Sequence, residues 1–75
     1  MQAHEIEDLI RAAFPDAQIE IEDLRGDGDH YSCLVETASF AGKTRVQQHK
    51  MVYDALGGRM GNQLHALALQ TRIPR

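Results

Sequence analysis

The chain has 75 residues, a net charge of −3 and a single cysteine. A domain of this length buries a modest core and leaves little room for an enclosed substrate site. Cys33 has no second cysteine with which to form an internal disulfide, and no apolar run is long enough for a membrane-spanning helix. The charge is unevenly divided. Residues 1–36 hold ten acids against Arg11 and Arg25, whereas residues 37–75 hold Asp54 against six basic residues, a split of −8 and +5. A surface of two signs suits the orientation of a partner. Nothing at the start reads as a signal peptide, and the expected compartment is the reducing cytoplasm.

Ile6, Leu9, Ile10 and Ala13 are spaced i, i+3, i+4, i+7, which predicts an amphipathic helix. Pro15 ends it, because the residue before a proline is pushed out of helical geometry. Ala17, Ile19 and Ile21 alternate with Gln18, Glu20 and Glu22, the pattern of a half-buried strand. Residues 25–29, Arg-Gly-Asp-Gly-Asp, form a hairpin loop. Tyr31, Cys33, Val35 and Thr37 then mark one face of a second strand that runs up to Ser39. Gly42 supplies a tight turn. Thr44, with Gln47 in the capping-box position, starts a helix that reaches Leu56 and is stopped by Gly57 and Gly58. On that helix Val46, Val52, Tyr53 and Leu56 fall in one arc, with His49 in its middle and Arg45 on its edge. After a glycine-rich connection, Leu64 to Gln70 is a third strand whose apolar residues do not alternate with polar ones, as suits a strand covered by helices.

The order helix, strand, strand, helix, strand predicts a single α/β (α+β) domain over residues 1–75. Its first two strands pair as an antiparallel hairpin. The second and third are parallel, joined by a right-handed crossover through the second helix. The sheet is thus three-stranded and mixed, with two helices on one face and the other face more open.

His30 begins the second strand and His65 the third. Parallel neighbours start at the same end of a sheet, roughly 5 Å apart, so the two imidazoles converge on one rim as a candidate open metal site. His49 reads instead as a structural histidine in the core face of its helix, and Cys33 as a buried, inert thiol. Gly58-Arg59-Met60-Gly61 is a GxxG, the loop that clamps a nucleic-acid backbone in KH domains. With Arg45 and Lys50 it is a candidate nucleic-acid or partner contact. No nucleophile with a placed base, paired carboxylates or phosphate loop is present, so binding or carrying is expected rather than catalysis.

Several stretches together resemble the BolA family: Asp29-His30-Tyr31, Phe40-Ala41-Gly42, Arg45-Val46-Gln47-Gln48-His49 with Val52, Tyr53 and Leu56, and Leu64-His65-Ala66-Leu67-Ala68-Leu69 before Thr71. They cover most of the chain in the family's order and spacing. The resemblance implies a KH-like α/β fold and a hetero-complex with a monothiol glutaredoxin, the chain being a monomer alone. It implies a [2Fe–2S] cluster shared with that partner and absent from the isolated protein. The glutaredoxin and glutathione would supply sulfur ligands. His65 matches the family's histidine ligand, and His30 is the candidate for the second ligand at the first loop. The implied role is cluster assembly, trafficking or iron sensing; the competing expectation is a nucleic-acid-binding or transcriptional regulatory module.

Overall fold

The computed structural model describes residues 2–27, 30–57 and 66–74. They form α1 (Ala3–Ala13), β1 (Gln18–Asp23), β2 (His30–Glu36), a 3-10 turn (Ala38–Phe40), α2 (Arg45–Leu56) and β3 (Ala66–Arg72). The sheet order is β1-β2-β3, with β1 antiparallel and β3 parallel to β2, as the element order predicts.

Period two in β2 organises the molecule. Tyr31, Cys33 and Val35 are buried while His30, Ser32, Leu34 and Glu36 are half-buried on the opposite face. The register carries this division to its neighbours. Ile19 and Ile21 of β1 sit opposite Val35 and Cys33, and Leu67 and Leu69 of β3 opposite Tyr31 and Cys33. Ile6, Ile10 and Phe14 from the α1 segment and Val52 and Leu56 from α2 close the core on that side. Alternation in β3 is therefore real although hydropathy hides it: Leu67, Leu69 and Thr71 are half-buried, while Ala68, Gln70 and Arg72 are exposed. The strand continues past Gln70 to Arg72, where Arg72 Nε meets Glu36 Oε1 at 2.8 Å across the open face.

Two further details differ from the sequence expectation. β2 ends at Glu36 rather than Ser39, and the 3-10 turn that follows drives Phe40 into the core, edge-on to Phe14 at 5.5 Å between ring centroids. Thr37 sets this corner. Fully buried, its hydroxyl donates to the Asp16 carboxylate (2.7 and 2.9 Å to the two oxygens) and accepts from Ser39 N–H at 3.2 Å. Asp16 also accepts from Ala38 N–H at 3.1 Å.

The second difference is the rotation of α2. Its N-terminus is capped as expected, with Thr44 accepting from Gln47 N–H and Gln47 accepting from Thr44 N–H. Its buried residues, however, are Gln48, Val52 and Leu56. Val46 is 79% exposed and His49 is only half-buried, so His49 is not a core histidine. Gln48 takes the inward position because its polar atoms find partners there. Its Oε1 accepts from the Thr71 hydroxyl at 2.6 Å, and its Nε2 donates to the Lys43 carbonyl at 2.9 Å. A buried amide satisfied at both ends carries no desolvation penalty for an unmade bond.

Phe40→Ala should destabilise the fold by roughly 3–5 kcal/mol, comparable with the whole stability of so small a domain, and urea denaturation should find the variant largely unfolded in buffer. Hydrogen bonds from Thr37, first, and Ala38 hold the Asp16 carboxyl below its ordinary range. A group whose folded pKa is depressed adds stability above its unfolded value and loses it as pH falls through the folded one. Asp16→Ala should therefore melt below wild type at neutral pH, and the gap should narrow in acid. A gap independent of pH in thermal melts would contradict this.

Candidate functional site

The β1–β2 hairpin turns by carboxylate–backbone bonds. Asp23 Oδ1 accepts from Arg25 N–H (3.3 Å) and Gly26 N–H (2.8 Å), and Gly26 takes φ +68, a conformation that favours glycine. Leu24 N–H donates to the His30 carbonyl at 2.8 Å and closes the hairpin. Asp27 then grips the first residue of β2 twice: Oδ1 accepts from His30 N–H at 3.3 Å, and Oδ2 lies 2.9 Å from His30 Nδ1. An ionised carboxylate only accepts, so Nδ1 carries the hydrogen, and in the neutral ring Nε2 keeps the lone pair. Metal-bound histidines are commonly oriented in this way by a carboxylate. The His30 side chain is 25% exposed and belongs to the open face of the sheet.

Across the parallel ladder His30 pairs with Ala66, the residue that follows His65 in the chain. His65 itself lies outside the described residues, as do Gly58, Arg59 and Gly61 of the GxxG. Among the described residues no group of three or more His, Cys, Asp or Glu side chains converges as a metal site. Cys33 lies in the core, 1% exposed, on the face of β2 opposite to His30. Burial, with Glu7 nearby, pushes its thiol up to about 11, so it is neutral at pH 7 and is neither a ready nucleophile nor a ready ligand.

The remaining candidates separate. Arg45 opens α2 and is exposed. Together with His49, one turn later, it lines a surface groove beside β3. Lys50 points elsewhere and forms an exposed 3.0 Å pair with Asp54, an i,i+4 contact worth about 0.3–0.5 kcal/mol. The sequence reading missed Asp27. The available signal was an acid three residues before a strand-initiating histidine, at the end of a loop rich in Asp and Gly.

Comparison with known proteins agrees across methods. The family model described as BolA-like protein matches residues 10–75. Protein RP812 of Rickettsia prowazekii is 37% identical over 71 residues, 95% of this chain and 92% of that protein. The DNA-binding transcriptional regulator BolA of Escherichia coli is 30% identical over 73 residues, covering 88% of this chain and 70% of that protein. The structure of a BolA protein homologue from Coxiella burnetii superposes with a TM-score of 0.81 at 33% identity, covering 99% of this chain and 92% of that one.

Removing the carboxylate tests the imidazole's orientation. In wild type, long-range 15N NMR should show His30 held as the Nδ1–H tautomer at high pH. Asp27→Ala should release it to the mixture seen in free histidine. An identical tautomer pattern in both proteins would mean that Asp27 does not orient the ring.

Proposed function

The chain belongs to the BolA-like family, and from that premise we propose that it is a non-enzymatic accessory protein that pairs with a monothiol glutaredoxin and shares a bridged [2Fe–2S] cluster with it, for cluster assembly, trafficking or iron sensing. One observation carries the reading. His30, its Nδ1–H directed to Asp27, starts β2 in register with Ala66, the neighbour of His65 in the sequence. The imidazole of His30 suits an iron ligand, because the carboxylate fixes the tautomer, orients the ring and raises the basicity of Nε2.

In this reading His65 and His30 are the chain's ligands, and thiolates from the glutaredoxin and glutathione complete the set. Histidine in place of cysteine raises the reduction potential of a [2Fe–2S] centre, as in Rieske-type proteins. Such a centre suits transfer or sensing better than storage. The chain's own part is to present the His30 imidazole from the start of β2, whose backbone the ladder holds in place, and to keep Cys33 out of competition by burying it. Cys33 and Gln48 are then structural, and His49 has no part in the ligand set.

A second reading has one specific support: the Escherichia coli relative is named as a DNA-binding transcriptional regulator, BolA. It would use Gly58–Gly61 with Arg45 and Lys50 against phosphates. The net charge of −3 and the neutralisation of Lys50 by Asp54 weigh against it. Binding of this kind falls steeply with salt through counterion release, so a low-salt gel-shift titration with duplex DNA separates the two readings.

Mixing the protein with a cluster-loaded monothiol glutaredoxin should change the visible circular dichroism and give a heterodimer on gel filtration. His65→Ala should abolish the change or leave a labile cluster. His30→Ala should weaken it less, and His49→Ala should leave it intact. All three should melt close to wild type. An unchanged spectrum with wild type, or loss of the signal with His49→Ala alone, contradicts the assignment.

A further inference from the structure

The sheet ends in two edges, β1 on one side and β3 on the other. One bond shows which backbone groups of β3 face outward. Thr37 N–H donates to the Arg72 carbonyl at 3.2 Å, so Arg72 turns its backbone toward the β2 side. In an extended strand the N–H and C=O of successive residues point to opposite sides. Leu67, Leu69 and Thr71 therefore direct theirs to the outer edge. Among the described residues no strand pairs with that edge. Folded proteins usually blunt such an edge with a bulge, a proline, charges that point inward or a covering element. Here Ala66–Arg72 runs seven residues in unbroken register, without proline.

A groove of about 440 Å³ wraps around this edge, lined by Leu69, Thr71 and Arg72 of β3, Arg45 and His49 of α2, and Leu34 of β2. Its charged lining is basic only. Arg72 is partly satisfied by Glu36, whereas Arg45 makes no ion pair among the described residues. Val46, which follows Arg45, and Ile73, which follows Arg72, are large apolar side chains left 79% and 44% exposed. The groove thus combines outward-facing ladder groups with two guanidinium groups.

We propose that the β3 edge receives an extended acidic segment of a protein partner as a fourth strand. The backbones of Leu67, Leu69 and Thr71 supply the ladder, and Arg45 and Arg72 meet the segment's carboxylates. This is recognition by strand addition, in which main-chain bonds give affinity and alternate side chains give specificity. A second copy of the chain fits less well. Pairing β3 with β3 about a two-fold axis is antiparallel and, centred on Leu69, sets Arg72 opposite Ala66 of the other copy, so the arginines meet no carboxylate on that strand. Pairing β3 with the acidic β1 of another copy is complementary in charge, but it is head-to-tail and would string copies into a ring or an open chain rather than a dimer. The groove's arginines lie near the end of β3, roughly 20 Å along the strand from Ala66 at the usual rise, so the inference does not depend on the iron reading.

The test uses the full chain without iron and a fluorescein-labelled eight-residue peptide that alternates valine with glutamate. Anisotropy should rise to saturation. Lysine in place of glutamate, or N-methylation of every second peptide amide, should weaken binding at least tenfold. Arg45→Glu should also weaken it at least tenfold without lowering the melting temperature, because Arg45 is exposed at the first turn of α2, where an acid is tolerated. Amide exchange at Leu69 and Thr71 should slow on binding. No saturation up to millimolar peptide overturns the proposal, as does equal binding of the N-methylated peptide, which would show contact by side chains alone. Protection of those two amides in the free protein, with a mass on gel filtration that rises with concentration, also overturns it, because a second copy would then occupy the edge.

Discussion

The constraint on which the structure depends is the two-sided demand placed on β2. The strand is paired along both edges and buried on one face. Its period of two sends Tyr31, Cys33 and Val35 to the helices and leaves His30, Ser32, Leu34 and Glu36 on the open side. A slip of one residue would exchange the two sets, expelling the core and burying a histidine and a glutamate. Thr37 guards against that slip. Its hydroxyl is locked to Asp16 and its backbone to Arg72, so the end of the strand is tied to the α1–β1 turn and to β3 together. Once β2 is in place, His30 must start on the open face beside the hairpin loop, and Ala66 must stand next to it.

Much of this was legible where periodicity and local chemistry agree. The odd-numbered face of β2, the capping box at Thr44 and Gln47, and the arrest of the first helix before Pro15 are patterns with one reading each, and the element order alone implies the mixed sheet. The rotation of α2 was not legible. An arc chosen by hydropathy takes in Val46 and Tyr53 and puts His49 in the core. The buried set is Gln48, Val52 and Leu56, spaced at i, i+4 and i+8. A glutamine becomes a core residue only when a distant hydroxyl and a distant carbonyl meet its amide, and Thr71 lies 23 positions away. In the same way the burial of Phe40 depends on the 3-10 turn that aims it at Phe14. Tertiary partners decided these positions, and no local pattern encodes them.

The site divides along the same line. His30 at a strand start could be read from the sequence, but its clamp by Asp27 is a property of the hairpin's conformation. The clamp changes what His30 can do, since a histidine whose Nδ1–H is engaged by a carboxylate presents a defined Nε2. The uneven charge of the chain also acquires a location. The acids of the first half include Glu20 and Glu22 on β1, at one edge of the sheet, while Arg45 and Arg72 flank the other. The two signs therefore lie on opposite margins of one small sheet and give it a direction in a partner's field.

The central claim is that imidazole nitrogen from this chain coordinates iron in the complex with a monothiol glutaredoxin. The most direct measurement is pulsed EPR of the reduced complex, prepared with the chain labelled with 15N at histidine and with an unlabelled glutaredoxin. The account predicts a strong 15N hyperfine coupling of the size given by directly ligated imidazole, diminished in His65→Ala and in His30→Ala and retained in full in His49→Ala. A spectrum with no histidine coupling, showing a cluster held by sulfur alone, would contradict it.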